Sequence, residues 1–225
     1  MKQTLLTLFL LISIGLSQEY NLDELVERDG MYFEKYSDKP LRGKVYTMFG
    51  NKKVIMGKLV NGKFNGKWIY WYENGQIKRE GRYRNGLMNG EWTYYHENGQ
   101  IREQGRFIDG DGNTPDGVYP DWMADSLISI LPPFDGRSGQ WTYWDGDGQK
   151  RSEGTYKDGK WDGLLTEWYE TGQKERETTY KDGEYDGLYT GWYDNGQKFW
   201  EDTYKDGELI SSKCWDVNGI DIDCP

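Results

Sequence analysis

The run Gly66-Lys67-Trp68-Ile69-Tyr70-Trp71-Tyr72-Glu73-Asn74-Gly75-Gln76 returns 24 residues later as Gly90-Glu91-Trp92-Thr93-Tyr94-Tyr95-His96-Glu97-Asn98-Gly99-Gln100. The same frame opens again at Gly139, Gly163 and Gly187, the last two also 24 apart. Self-similarity at a fixed period of this length restricts a chain to stacked copies of one supersecondary unit, each burying its apolar side against its neighbours.

The columns of the repeat say what the unit is. Two residues after the leading glycine stand Trp68, Trp92, Trp141, Leu165 and Tyr189, and five after it stand Trp71, Tyr95, Trp144, Trp168 and Trp192. The column between them, Ile69, Thr93, Thr142, Thr166 and Thr190, is β-branched and suits an extended strand. Asn74-Gly75, Asn98-Gly99 and Asn195-Gly196 then supply a turn with glycine where a positive φ is needed. The returning strand ends on Tyr83, Phe107, Tyr156, Tyr180 or Tyr204, before a second Asn-Gly or Asp-Gly turn that carries Phe64, Met88, Trp161 or Tyr185. Each unit therefore reads as a β-hairpin, and the chain as an all-β, elongated antiparallel meander of repeated hairpins. At ~4.8 Å between strands a unit advances the sheet by roughly 10 Å, so like residues stack into ladders. The Trp71, Tyr95, Trp144, Trp168, Trp192 ladder is read as structural.

Composition agrees once the period is known. A mean hydropathy of −0.94 over 225 residues would suit disorder. The 11 Trp, 18 Tyr and 7 Phe contradict that, because they supply large buried surfaces that aliphatic residues supply elsewhere. The net charge of −10 disfavours nucleic acid and anionic lipid as partners. Two cysteines are too few for a four-cysteine zinc site, and the single histidine, His96, removes most histidine-based metal sites and argues against Ser-His-Asp catalysis. No catalytic residue, metal site or cofactor is expected.

This pattern resembles the MORN repeat, specifically the MORN-variant repeats of bacterial proteins and of the YwqK-family antitoxins. The residues that carry it are the lead from Tyr83 to Gly90, the aromatic pair Trp168-Tyr169 and the Asn-Gly-Gln turn with its charged following strand, over roughly residues 41–222. The resemblance implies an interaction or scaffold module without naming a ligand.

Around the repeats lie four further segments. Residues 1–17, with Lys2 before the apolar run Leu5–Leu16, read as a signal peptide cleaved before Gln18. The run is shorter than the ~20 residues a membrane span requires. An exported protein is expected, in the periplasm, the cell envelope or secreted, and membrane binding is not. Residues 18–40 read as an N-terminal capping segment, with repeats at 41–110 and 139–225. Cys214 and Cys224 flank the Asn218-Gly219 turn and are expected to form a disulfide that clips the last hairpin. Residues 111–138 interrupt the array. Asp121–Leu131 suits a short amphipathic helix, and Trp122, Met123, Leu127, Ile130 and Phe134 make this insertion the candidate binding element.

Other chemistry reads as structure. Asp109-x-Asp111-x-Asn113 opens like a calcium loop but has Thr114 and Pro120 where the loop needs Gly and Glu. His96 occupies the column of Tyr72, Tyr169 and Tyr193 and reads as a packed substitute. The expected function is a non-catalytic extracytoplasmic scaffold for protein–protein interaction. The alternatives are carbohydrate or cell-wall binding through the aromatic ladders, and antitoxin-like binding of a toxin. Burial of the ladder separates the glycan reading from the rest.

Overall fold

A computed structural model describes residues 18–110 and 136–224. The strands are Glu19–Asn21 (β1), Leu25–Arg28 (β2), Met31–Glu34 (β3), Gly43–Phe49 (β4), Lys52–Val60 (β5), Lys63–Trp71 (β6), Ile77–Arg84 (β7), Leu87–Tyr95 (β8) and Ile101–Gly110 (β9). After the insertion come Arg137–Trp144 (β10), Lys150–Lys157 (β11), Lys160–Trp161 (β12), Gly163–Trp168 (β13), Lys174–Lys181 (β14), Glu184–Trp192 (β15), Lys198–Lys205 (β16), Glu208–Trp215 (β17) and Asp221–Ile222 (β18). From β4 onward each strand lies beside its sequence neighbour in one open, antiparallel meander, with β12 a short continuation alongside β11. The all-β hairpin array expected from the columns is the observed fold. A single 3-10 turn at Leu22–Glu24 is the one helical element among the described residues.

Two turns alternate along the sheet. At Asn61-Gly62 both residues have positive φ, 52° and 73°, and Asn85-Gly86, Asp158-Gly159, Asp182-Gly183 and Asp206-Gly207 repeat that geometry. This is the two-residue turn whose twist matches paired strands. The other turn spans Tyr72–Gln76. Asn74 Oδ1 accepts from the Gln76 N–H at 2.9 Å, and the Gly75 N–H donates to the Tyr72 carbonyl at 3.0 Å.

The core lies along one face. Trp68, Trp92 and Trp141 are fully buried, and each indole lies flat on a mid-strand glycine of the preceding strand. A Cβ on Gly81 would stand 2.1 Å from Trp92 Cδ2, and one on Gly105 equally close to Trp141, so only glycine admits the ring. Each indole N–H then donates to the carbonyl of the residue after that glycine, Lys58, Arg82 or Arg106, at 3.2–3.3 Å. Tyr83, Phe107 and Tyr156 fill the gaps edge-on. Toward the C-terminus the pairing changes: Leu165 replaces the tryptophan, and Thr178 stands opposite Tyr189 in the glycine column.

The two ends differ. At the first, β1 runs parallel to β4, and the separate β2–β3 hairpin docks through the Tyr32 N–H on the Gly62 carbonyl and the Tyr32 ring on Phe64. At the second, β17 carries the two-residue β18, and Cys214 is bonded to Cys224 as the sequence leads one to expect.

Candidate interaction surface

Side chains alternate across a strand, so Ile69 and Trp71 project from the face opposite Trp68 and Tyr70. The whole column Trp71, Tyr95, Trp144, Trp168, Trp192 is half-buried on that outer face. It is neither core nor an open platform. Trp215 extends it by one unit, a member that the column count from the leading glycine misses because the last unit is one residue shorter.

A repeated polar frame surrounds these rings. Lys150 Nζ donates to Glu153 Oε2 at 2.7 Å and Thr142 Oγ1 to the same oxygen at 3.3 Å, while the ammonium stands 5.3 Å from the Trp168 centroid. Lys174 repeats this with Glu177 and Trp192, and Lys198 with Glu201 and Trp215. The Lys150 hydrogen bond holds the Glu153 carboxyl below its ordinary range. In the first two units Ile77 and Ile101 replace the lysine. There Glu80 takes Lys67 at 2.7 Å and the Tyr95 hydroxyl at 3.0 Å, and the Lys67 contact lowers its pKa. On the inner face, burial pushes the Tyr70 and Tyr156 hydroxyls up, and Tyr32 up to about 12.

A second ladder runs along the Asn-Gly turns. Tyr72 Oη donates to the Tyr95 carbonyl at 2.7 Å, Tyr169 Oη to Trp192 at 2.6 Å and Tyr193 Oη to Trp215 at 3.1 Å. His96 Nε2 makes the same bond to the Trp144 carbonyl at 3.0 Å, and because a carbonyl only accepts, Nε2 carries the proton. His96 is thus a structural substitute for tyrosine. Asn74, Asn98 and Asn195 each donate from Nδ2 to a carbonyl of the next turn.

The interrupted unit holds a residue that column reading passed over. Two positions before the leading glycine stand Phe64, Met88, Trp161 and Tyr185, and at Gly139 that position is Arg137. Arg137 is 1% exposed. Its Nη2 lies 3.0 Å from Glu103 Oε2, itself buried, and its guanidinium sits 4.1 Å over the Trp141 ring with the Tyr143 and Tyr156 hydroxyls alongside. Counting back from Gly139 would have found it. Arg137 and Ser138 therefore belong to β10, within the stretch 111–138 assigned above to the insertion.

The insertion leaves and returns at one place. The Ile108 N–H donates to the Gly136 carbonyl at 2.7 Å, and a Cβ on Gly136 would stand 2.3 Å from Gly110 Cα. Asp109 is engaged by Arg84 Nη2 at 2.8 Å and by Asn89 Nδ2 at 2.9 Å. Trp122, Met123, Leu127, Ile130 and Phe134 lie outside the described residues, as do Asp111 and Asn113 and the signal-like residues 1–17.

One hairpin, from the residue two before the leading glycine to the first residue of the next Asn-Gly or Asp-Gly turn, is the repeating block of this surface. Residues 64–85, 88–109, 137–158 and 161–182 match the family model of the MORN repeat variant. Each matched MORN segment is one such block, and the third begins at Arg137, so the match resumes where the insertion closes. MORN repeats are in general protein- and membrane-binding motifs rather than enzymes. No curated protein matches the chain.

Proposed function

We propose that the chain is a non-catalytic repeat scaffold, exported from the cytoplasm, that binds a protein partner and draws its specificity from the insertion between β9 and β10. The observation that carries this reading is the closed base of the insertion: Ile108 and Gly136 remain hydrogen-bonded, and the columns continue from β9 to β10 as between any other units. An element added to an array that is complete without it, and rich in exposed-type loop chemistry and apolar residues, is the natural place for a partner-specific contact. Export is supported by the signal-like residues 1–17 together with the disulfide, which persists in oxidising compartments. The outer face favours protein over glycan, since the rings of Trp168, Trp192 and Trp215 already carry an ammonium each.

The test is excision of residues 111–135. Joining Gly110 to Gly136 gives Ile108-Asp109-Gly110-Gly136, in which Asp109-Gly110 matches in sequence the two-residue Asp-Gly turn between Lys157 and Lys160. The excised protein is expected to melt cooperatively near the parent temperature and to lose capture of its partner from a cell-envelope extract. Retained capture without the insertion overturns the assignment, and competition by soluble glycans moves the reading to carbohydrate.

A further inference from the structure

The C-terminal end of the sheet is half covered. β17 pairs with β16 along its length, but on its outer flank only Cys214 and Trp215 have ladder partners, Ile222 and Asp221. Among the described residues no strand lies along the outer flank of Glu208–Ser211, where Leu209 is 55% and Ile210 62% exposed. At the far end β1 covers Lys44–Tyr46 of β4. An exposed strand edge with apolar side chains is a template for another strand.

What covers the rest is a tail held by one bond. Two ladder pairs alone are marginal in water. Cys224 is brought against β17 by its bond to Cys214, and its Sγ lies 3.2 Å from Ser212 Oγ, so the tail occupies the flank of Ser212. The turn before it is closed by Asp216, whose Oδ1 accepts from both the Asn218 and Ile220 N–H groups at 2.9 Å.

The strand beneath is self-complementary. Ile210 is the extra residue of a β-bulge, for Tyr204 pairs with Leu209 and Thr203 with Ser211. Counted through the bulge, Glu208, Ser211 and Lys213 share the face of Lys205, Thr203 and Glu201, whereas Leu209 and Ser212 share the other. Two copies of β17 placed antiparallel about a twofold axis at Ser211 set Glu208 opposite Lys213 of the second copy, twice by symmetry, and Leu209 opposite Ser212. Opposite charges directly across an antiparallel pair stabilise it.

We propose that the Cys214–Cys224 disulfide is a redox-removable cap on the C-terminal sheet edge, and that its reduction lets β17 pair antiparallel with β17 of a second copy of this chain. The reductant is a dithiol. One of its thiolates attacks a cystine sulfur, the S–S bond breaks to a mixed disulfide, and its second thiolate displaces the remaining cysteine. Two electrons and two protons pass to the protein, leaving two Cys thiols and the oxidised, disulfide form of the reductant. The oxidised form is blocked because the tail occupies the flank of Ser212 on which the axis needs the partner strand.

The purified protein is compared with and without dithiothreitol by light scattering across a concentration series, with hydrogen exchange on the same samples. Oxidised protein is expected to be monomeric. Reduced protein, and Cys214→Ser/Cys224→Ser without reductant, is expected to form dimers in which amides of 208–213 gain protection while those of β7–β9 are unchanged, which shows that the array is intact. Glu208→Lys places like charges opposite and is expected to weaken the reduced dimer on the order of tenfold. Glu208→Lys combined with Lys213→Glu restores it. A reduced protein that stays monomeric with β7–β9 protected, a dimer equally abundant when oxidised, or a dimer indifferent to Glu208→Lys overturns the proposal.

Discussion

Gly81 has no side chain because Trp92 uses the space, and that exchange is the residue-level rule of the fold. A methyl at Gly81 meets the indole at 2.1 Å through rigid backbone on one side and a packed ring on the other. Gly81→Ala is expected to cost about 1–3 kcal/mol by overpacking, and Trp92→Ala about 3–5 kcal/mol by cavity formation. Gly81→Ala combined with Trp92→Leu should cost less than the sum of the separate changes in urea unfolding, because the smaller side chain accepts the methyl, as Tyr189 in the tryptophan column stands opposite Thr178 in the glycine column. Additive losses would show that the glycine serves the backbone and not the ring. The Arg137–Glu103 pair obeys a different rule. A buried ion pair contributes little against an apolar residue of similar volume but leaves a bare charge when halved. Arg137→Met combined with Glu103→Leu, which replaces both buried charges by apolar side chains, is therefore expected to leave the melting temperature unchanged or raised. Glu103→Ala is expected to lower stability by about 3–5 kcal/mol through the guanidinium left without its carboxylate. A comparable loss in the variant that removes both charges would make the pair a net source of stability.

At the scale of the hairpin, the outer-face frame ties stability to pH with a definite sign. Glu153 is depressed by Lys150, so its contribution is present above the unfolded carboxylate pKa and is lost as pH falls through the lower folded value. Both partners are partly exposed, so salt screens the effect. Lys150→Met is expected to lower stability at neutral pH and low salt. The gap to the parent protein should close in acid and narrow in high salt, as read from urea midpoints across a pH series; a gap constant with pH would mean that the lysine stem, not its charge, supports Trp168. The hairpin itself was legible in the chain, since the turn residues, the β-branched column and the two aromatic columns repeat in register. Which aromatic column is core was not. Trp68 and Trp71 belong to equally apolar columns, and strand alternation sends them to opposite faces without saying which face is buried. The discriminating signal lies in the neighbouring strand, where Gly57, Gly81 and Gly105 stand mid-strand beneath Trp68, Trp92 and Trp141. Arg137 was hidden for another reason. It follows the interruption, where spacing from the preceding unit is lost and only counting backward from Gly139 restores the column.

Across the whole molecule the same pairs set a gradient. In a linear array each unit touches only its neighbours, so local opening energies follow local packing. The middle of the sheet holds the fully buried Trp68, Trp92, Phe107 and Trp141, whereas the last units rely on half-buried Tyr189, Trp200 and Tyr204, with Thr178 and Asp202 where the glycines stood. Neither the β1 cap, which pairs parallel over Glu19–Asn21, nor this decline follows from a column count, because both depend on what lies beyond the last full repeat. The N-terminal end is closed by β1 and the docked β2–β3 hairpin, and the C-terminal end by a two-residue strand and one disulfide that contributes about 2–3 kcal/mol by closing a short loop. Native-state hydrogen exchange is accordingly expected to show the highest opening energies in β7–β10 and a stepwise fall through β14–β17, with fraying from the C-terminal end first. Because each unit stabilises the one before it, replacing Trp141 with alanine should lower protection on both sides of the insertion at once. Protection lost only in β10 and β11 would instead make the insertion a boundary between two independently stable arrays.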